Sequence, residues 1–433
     1  MNTIKPLKIV SLFLCICCIF SLFSIAINAD SAEPEILAPS AILINADTGE
    51  ILLSKDANSK RYPASTTKVM TALLAIENCD MNDTITISNN AVMSIAWDST
   101  KLGLYEGEKF KMYDLLCAML IASGNDAANA VAEKVSGSVD KFIDLMNKRA
   151  KELGCKNTNF TNPHGLTDEN HYTTAQDLAI IAKKAMEYPT FREMVKTKYY
   201  ELPTTDKCSE KRAFYTTNNM ITNIRGSKYL YSPATGIKTG YTQAALNCLV
   251  ASAEKDDIPL ICVVLNASTV DGVNTAYTDT KNMFNWAFDN YKSKTVLAKG
   301  QVADECAVKY AKGVKTIKLI AEKDFKTVMP VNAADENITT KVKVTNKIVA
   351  PLMAGEVLGT ADVYYGKTLL GSVNLVTDKA YDYSLWNVFT IALFKILGWM
   401  AIILLILMTA LLVFRQIEYN KRSKRRKNVK RQY

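Results

Sequence analysis

Apolar residues follow two different periods in the first two thirds of the chain, and together these periods predict a mixed domain. Helical spacing, with apolar residues three and four positions apart, covers 65–77, 112–122 and 127–134. Short apolar runs of strand length occur at 41–45, 50–54, 248–253 and 260–265. The first two of these runs flank Ala46-Asp-Thr-Gly49, which is typical of a hairpin. We therefore predict an α/β (α+β) domain of enzyme size over residues 36–290.

A different pattern begins near residue 297 and continues to residue 380. Short alternating segments are separated there by Gly, Pro and Asn, at 316–320, 340–344, 357–365 and 369–376. Alternation with period two over short runs is the signature of half-buried strands. The sequence predicts a small all-β domain in this region, and we find no reactive constellation of side chains in it.

Both ends of the chain carry apolar segments that predict contact with a membrane. Residues 1–29 combine Lys5 and Lys8 with an uncharged apolar run and then small residues near Ala29, the layout of a secretory signal peptide. The run is also long enough to remain in the bilayer uncleaved. Residues 396–414 carry no charge, which predicts a transmembrane helix.

The basic tail that follows, 415–433, predicts a cytoplasmic C-terminus, with the domains before the span extracellular and anchored on the cytoplasmic membrane. This tail holds nine basic residues against Glu418, so +8 of the net charge of +9 lies there. With the two leader lysines removed as well, residues 30–414 carry a net charge of −1. A basic surface for nucleic acid has no support, and no nucleic-acid partner is expected.

Ten cysteines would suggest a disulfide framework, but three of them lie in the leader and leave seven. An odd number cannot all pair, and Cys117, Cys248 and Cys262 lie within apolar runs. We predict buried free thiols, with or without a single bridge.

The candidate chemistry lies in three short motifs. Ser65-Thr-Thr-Lys68 has the form SxxK, Ser123-Gly-Asn125 has the form SxN, and Lys238-Thr-Gly240 is a single KTG. The first two forms occur again at 138–141 and 88–90, so context must select between the copies.

Context favours Ser65 and Lys68 over the second SxxK copy. An apolar stripe continues beyond Lys68, which predicts that Ser65 opens a buried helix with Lys68 one turn later on the same face. A desolvated lysine has a lowered pKa and can accept the serine proton. Ser138 and Lys141 lie among polar residues and are predicted at the surface.

The other two motifs supply hydrogen-bonding groups. Ser123 and Asn125 directly follow the predicted helix 112–122, so we expect a hydroxyl and an amide for proton relay and carbonyl binding. Lys238 and Thr239 precede the predicted strand and would present a charge and a hydroxyl to a substrate carboxylate. Gly240 would let the ligand approach the backbone.

The chain resembles a known family in four longer strings: YPASTTKVMTALLA, LLCAMLIASGNDAANAVAE, NPHGL with HYTTAQDLA, and TGIKTGYTQAALNCLVASA. They are similar to the low-molecular-mass penicillin-binding proteins, serine-type D-alanyl-D-alanine carboxypeptidases that trim peptidoglycan stem peptides. The similarity is dense over 36–290 and looser over the β-rich 297–380. It implies a β-lactamase/transpeptidase-like catalytic fold, inhibition by β-lactam antibiotics, and no metal or cofactor.

The resemblance also implies a role for each motif residue. Ser65 would form the acyl-ester, Lys68 would be the general base and Ser123 would relay the proton. Asn125 would hold the peptide and Lys238 would bind the terminal carboxylate. The backbone N–H groups of Ser65 and Tyr241 would form the oxyanion hole. One departure is the anchor, because the family commonly uses an amphipathic helix lying on the membrane.

Three alternatives compete with this interpretation. A β-lactamase would share the motifs but lacks the β-rich domain and the span. A metal or Ser-His-Asp site would need His164 and His171, with Asp168 and Glu169 between them. We instead interpret that segment as a turn followed by a capping box at Thr173-x-x-Gln176. A non-catalytic envelope-anchored binding protein predicts no acylation by penicillin.

Overall fold

The structure is a computed structural model that describes residues 32–345 and 347–429. The predicted signal peptide 1–29 and the last four residues of the basic tail lie outside the described residues. The chain divides into two compact units. The first comprises the residues up to Ser293 together with Val328–Asn332, and the second comprises Lys294–Thr327 and the residues from Ala333 on.

The three candidate motifs belong to the first unit, which contains both strands and helices. In chain order they are β1 Ser40–Asn45, β2 Ile51–Lys55, a 3-10 turn Ala64–Thr67, α1 Lys68–Asn78, β3 Thr84–Thr86, α2 Asn89–Met93, β4 Lys109–Lys111, α3 Met112–Ala122, α4 Asn125–Ser136, α5 Val139–Glu152, α6 Ala175–Met186, α7 Pro189–Lys196, β5 Tyr199–Leu202, β6 Arg212–Tyr215, β7 Ala234–Thr242, β8 Leu246–Lys255, β9 Ile258–Ala267, β10 Thr269–Val270, β11 Val273–Asn274 and α8 Thr275–Asn290.

A five-stranded antiparallel sheet in the order β2-β1-β9-β8-β7 is the centre of this unit. Alternate residues of β9 enter two different hydrophobic cores, one with Ile261 and Val263 and the other with Leu260 and Cys262. Helices cover both faces, which explains why the central strands are apolar at every position rather than at alternate ones. The sequence prediction of an α/β (α+β) fold is confirmed.

The β-rich region forms its own sheet in the second unit. The elements from residue 291 on are β12 Tyr291–Leu297, β13 Val302–Ala307, β14 Thr316–Ala321, β15 Phe325–Pro330, a 3-10 turn Asp335–Asn337, β16 Ile338–Val344, β17 Val357–Tyr365, β18 Thr368–Thr377 and the helix α9 Leu385–Val429. Five of these strands form an antiparallel sheet in the order β13-β14-β18-β17-β16. Inward side chains such as Ile317, Leu319 and Leu375 fill the core beneath it. The predicted all-β domain is confirmed.

Helix α9 contains the predicted span 396–414. Its segment Val388–Ser423 is long and apolar enough to cross a membrane, and its apolar side chains are exposed. The helix begins at Leu385, so most of the stretch 381–395, which precedes the apolar span, is already helical. This helix is a candidate membrane anchor.

Candidate active site

The SxxK motif of Ser65 and Lys68 lies at the junction of the 3-10 turn and α1. Ser65 is in the turn and Lys68 is the first residue of α1, so the predicted helix 65–77 begins with a tighter turn than an α-helix. In a 3-10 turn, side chains three residues apart lie directly above one another. Lys68 Nζ consequently lies 3.0 Å from Ser65 Oγ.

The amine of Lys68 is fully buried and has three polar neighbours. Besides Ser65 Oγ, Nζ donates to Asn125 Oδ1 at 2.7 Å and to the carbonyl oxygen of His164 at 2.8 Å. The amide and carbonyl oxygens can only accept, whereas the serine hydroxyl can also donate. A neutral amine has two N–H donors and one lone pair. It can therefore donate to the oxygens of Asn125 and His164 while its lone pair accepts the hydroxyl hydrogen of Ser65.

The surroundings favour this neutral form. Burial lowers the pKa of Lys68 well below its usual value, and the positive charge of Lys238 lowers it further, while Asp126 acts in the opposite direction. Asp126 is itself buried and accepts the backbone N–H groups of Leu102, Gly103 and Leu104 at 2.9–3.2 Å. It therefore fixes the loop that carries Thr100.

The backbone immediately before Ser65 has an unusual conformation. Ala64 has φ +48°, in the left-handed region that non-glycine residues rarely adopt. Its carbonyl oxygen accepts the hydroxyl of Thr67 at 2.9 Å, and Thr67 in turn lies 2.9 Å from His171 Nε2. Gly165 packs against the same carbonyl, and a Cβ atom there would lie 1.8 Å from the oxygen.

Ser123 and Asn125 lie on a sharp connection between two helices rather than on a longer loop. Ser123 ends α3 with φ +68°, and its N–H donates to the carbonyl oxygen of Met119 at 2.9 Å. Asn125 begins α4, and its N–H donates to Thr100 at 2.9 Å. The side-chain oxygen of Asn125 is occupied by Lys68, which leaves its NH₂ group for a peptide.

The KTG motif lies within β7, which is an edge strand of the central sheet. We predicted that it would lead directly into the strand 248–253, but that strand is the separate, neighbouring β8. The sequence predicts that Lys238 presents its charge to a substrate carboxylate. In the structure Lys238 is 1% exposed, and its Nζ donates to the carbonyl oxygen of Thr239 at 2.8 Å. Burial lowers the pKa of Lys238 to about 7.

Gly240 brings β7 against the backbone of Ser65. A Cβ atom on Gly240 would lie 2.9 Å from Ser65 N and 3.1 Å from the carbonyl oxygen of Pro63. The glycine therefore admits the Ser65 main chain, where we had predicted a close approach of the ligand. Tyr241, the next residue, is 64% exposed at the open edge of the strand.

A cleft of about 370 Å³ joins the motif residues that reach the surface. Its lining includes the predicted residues Ser65, Ser123, Thr239, Gly240 and Tyr241. Lys68, Asn125 and Lys238 lie outside this lining, and all three are buried.

Several cleft residues were not predicted from the sequence: Thr100, Thr217, Asn219, Arg225, Asn247, Asn274 and Tyr277. Thr217 Oγ1 lies 2.6 Å from Thr239 Oγ1, and the exposed Arg225 adds a cation to the lining. These residues form no motif and show no period, so only tertiary packing brings them together.

The two histidines have structural roles. His171 Nδ1 accepts the N–H of Thr161 at 3.0 Å, and His164 Nδ1 accepts the N–H of Leu166 at 3.2 Å. Burial lowers the pKa of His164 to about 3 and that of His171 to about 4, so both are neutral.

The N-cap of α6, the helix that follows, is Thr174. Its hydroxyl accepts the N–H of Asp177, so the cap lies one residue later than predicted.

The serines of the duplicate motifs cap helices, and Lys141 is exposed as predicted, while Ser138 is half-buried. Ser138 caps α5 by accepting the N–H of Lys141, and Ser88 caps α2 by accepting that of Ala91. The seven cysteines of the described part are all unpaired, and Cys117, Cys248 and Cys262 are buried as expected. Cys155 is also buried, whereas Cys79, Cys208 and Cys306 are partly exposed.

Comparison with known proteins places this geometry in a family. The sequence model for D-alanyl-D-alanine carboxypeptidases matches residues 27–269, and that for the C-terminal domain of penicillin-binding protein 5 matches residues 291–383. The chain is 36% identical over 328 residues to the D-alanyl-D-alanine carboxypeptidase DacF of Bacillus subtilis, covering 75% of this chain and 80% of that protein.

Solved structures agree with these matches. The crystal structure of penicillin-binding protein 5 from Haemophilus influenzae superposes with a TM-score of 0.60 at 29% identity, over 81% of this chain and 98% of that one. The Streptomyces K15 DD-transpeptidase gives a TM-score of 0.54 at 32% identity, over 59% and 99% of the two chains. Since the first family model covers more than half of the sequence, the chain belongs to the D-alanyl-D-alanine carboxypeptidase family of serine peptidases.

Proposed function

We propose that the protein removes the terminal D-alanine from peptidoglycan stem pentapeptides through an acyl-enzyme on Ser65. The observation that carries this proposal is the arrangement around Lys68, whose amine faces the serine hydroxyl and two groups that can only accept. This arrangement prepares a lysine to receive a proton and a serine to lose one.

In the acylation step, Ser65 Oγ transfers its proton to Lys68 Nζ and attacks the carbonyl carbon between the two D-alanines. The developing oxyanion accepts the backbone N–H groups of Ser65 and Tyr241, which Gly240 allows to lie close together. Ser123 relays the proton to the leaving amine, so the C–N bond breaks and D-alanine departs. Water then hydrolyses the ester and restores Ser65.

Recognition of the chain end uses the other side of the cleft. We assign the terminal carboxylate to the hydroxyl of Thr239 and the exposed guanidinium of Arg225, both of which line the cleft. We assign Lys238 a contribution of positive potential rather than direct contact, because its buried amine donates to the carbonyl oxygen of Thr239. Asn125 holds the peptide through its NH₂ group.

A β-lactam presents a strained acyl group to the same serine, so penicillin is expected to acylate Ser65 and to inhibit the enzyme. The carboxypeptidase and the alternative β-lactamase differ in the next step. A carboxypeptidase holds the penicilloyl ester long enough to be isolated, whereas a β-lactamase releases it rapidly.

We place the catalytic unit on the outer face of the cytoplasmic membrane, with α9 as a single-pass anchor and the C-terminus in the cytoplasm. The apolar exposed surface of α9 and the basic residues that follow it support this topology. A chain that ends at Asp382 lacks α9 and should be recovered in the soluble fraction. Retention after a high-salt wash would contradict the anchor.

The direct test of function is the release of D-alanine from a peptide ending in D-Ala-D-Ala. The wild-type protein should release one D-alanine per peptide, in the presence of a metal chelator as well as in its absence. Ser65→Ala should abolish release while leaving the thermal unfolding transition in place. Release by the Ser65→Ala variant at the wild-type rate would refute the assignment.

A further inference from the structure

A second cleft, of about 570 Å³, opens beside the nucleophile turn, and no step of the mechanism above uses it. Its lining comes from segments that also build the active site: Lys60, Arg61, Tyr62, Glu169, Tyr172, Ala244 and Asn266. We call it the Arg61 cleft. Arg61 precedes the nucleophile by four residues, and Ala244 follows the end of β7 by two, so the cleft borders the site along the chain.

Arg61 is held firmly by its main chain. Its N–H donates to Thr173 at 2.8 Å, and its carbonyl oxygen accepts the N–H of Thr173 at 2.9 Å. The side chain, in contrast, has an unsatisfied donor, because Arg61 Nε is buried without a hydrogen-bond partner. Neither Arg61 nor Lys60 forms an ion pair with a carboxylate among residues 32–345 and 347–429, which the structure describes.

An unpaired buried guanidinium nitrogen is costly unless a ligand supplies the missing acceptor. The lining of the cleft points to the charge of that ligand. Lys60 and Arg61 contribute two cations against the single carboxylate of Glu169. Lys60 Nζ is placed 4.1 Å from the centre of the Tyr172 ring, which holds the ammonium at the cleft wall. The net charge is therefore positive and selects an anion.

We propose that the Arg61 cleft binds a carboxylate of the donor peptide upstream of the scissile D-Ala-D-Ala bond, with Arg61 as its main ligand. This inference rests on the proposed function. The terminal carboxylate occupies the Thr239 and Arg225 side of Ser65, so the upstream part of the peptide must leave the nucleophile in another direction. The Arg61 cleft lies next to the nucleophile turn and offers a guanidinium, which pairs with carboxylates through two parallel hydrogen bonds.

The test compares pairs of synthetic peptides that end in D-Ala-D-Ala and differ only in Glu against Gln at one of the two preceding positions. At one of these positions the wild-type protein should hydrolyse the Glu peptide with a kcat/KM about ten-fold above that of the Gln peptide. Arg61→Met should reduce this ratio to within about two-fold, and Arg61→Lys should keep an intermediate ratio, because the charge remains without the paired donors.

The matched control is Lys141→Met, which removes an exposed cation from α5 and should leave the wild-type ratio unchanged. Glu169→Gln provides an independent variant at an exposed position, and it should raise the ratio by about two-fold or more, because it removes the only acid of the cleft. Equal hydrolysis of Glu and Gln peptides by the wild type, at both positions, would overturn the proposed subsite. Failure to hydrolyse either peptide would instead refute the carboxypeptidase assignment.

Discussion

The carbonyl oxygen of Ala64 lies so close to Gly165 that a Cβ atom at residue 165 would be 1.8 Å from it. This contact joins the loop that supplies the His164 carbonyl to the backbone immediately before the nucleophile. Because Ala64 already has a positive φ, any displacement of its carbonyl changes the position of Ser65.

We therefore expect Gly165→Ala to reduce the rate of penicillin acylation by about a hundred-fold, since small misplacements of reacting groups have effects of this size. Gly154→Ala is the matched control. Gly154 has the same φ of +90°, but a Cβ atom there meets nothing within 4 Å. Both substitutions carry the cost of a left-handed alanine, so wild-type acylation by Gly154→Ala would assign the loss to the contact with Ala64. Similar rates for the two variants would contradict this account.

Lys68→Ala should reduce acylation by about 10²–10⁴-fold, the range typical of a lost general base. Its control is Lys141→Ala in the second SxxK motif, where Ser138 only caps a helix.

Acylation by the wild-type protein should also fall as the pH falls through the lowered pKa of Lys68, because the protonated amine has no lone pair for the serine proton. Stopped-flow measurement of acylation against pH checks both points, and wild-type rates in Lys68→Ala would exclude it as the base.

Arg225→Ala should reduce hydrolysis of a peptide with a free terminal carboxylate about ten- to a hundred-fold more than hydrolysis of its neutral ester, the size of a lost charge-assisted contact. Lys238→Ala should show a smaller difference between the two substrates, since the buried Lys238 amine donates to the carbonyl oxygen of Thr239. The preference of the wild type for the charged substrate should decline above about pH 7, where Lys238 loses its proton. Steady-state kcat/KM for both substrates measures these effects. Equal losses on both substrates in Arg225→Ala would remove its assignment as the carboxylate ligand.

Hydrophobic periodicity predicted the most deeply buried helices and strands of both units, but it did not predict α5, α7 or α8. The predictions 112–122 and 357–365 coincide with α3 and β17, and the strands 248–253 and 260–265 fall inside β8 and β9. These segments are well predicted because burial on one or both faces dictates their residue types. The cap of α6 was placed one residue early because Thr173 and Thr174 are adjacent threonines with the same capping chemistry.

The site was predictable only where its chemistry lies in local motifs. Ser65 and Lys68 are three residues apart, so any helical turn brings them together. The burial of Lys238 could not be predicted, because alternation along a strand does not reveal which face packs against the core. Arg225 and Thr217 come from an irregular segment that also lines the cleft. Thr217 contacts Thr239 of β7 and Tyr277 of α8, and sequence spacing does not reveal such contacts.

If Ser65 is the acylated nucleophile, penicillin must modify this serine and no other residue. The purified protein is incubated with penicillin, digested and mapped by mass spectrometry. A single penicilloyl adduct should appear on the peptide that contains Ser65, and it should be absent from Ser65→Ala. An adduct on Ser138, on Ser123 or on no residue would contradict the account.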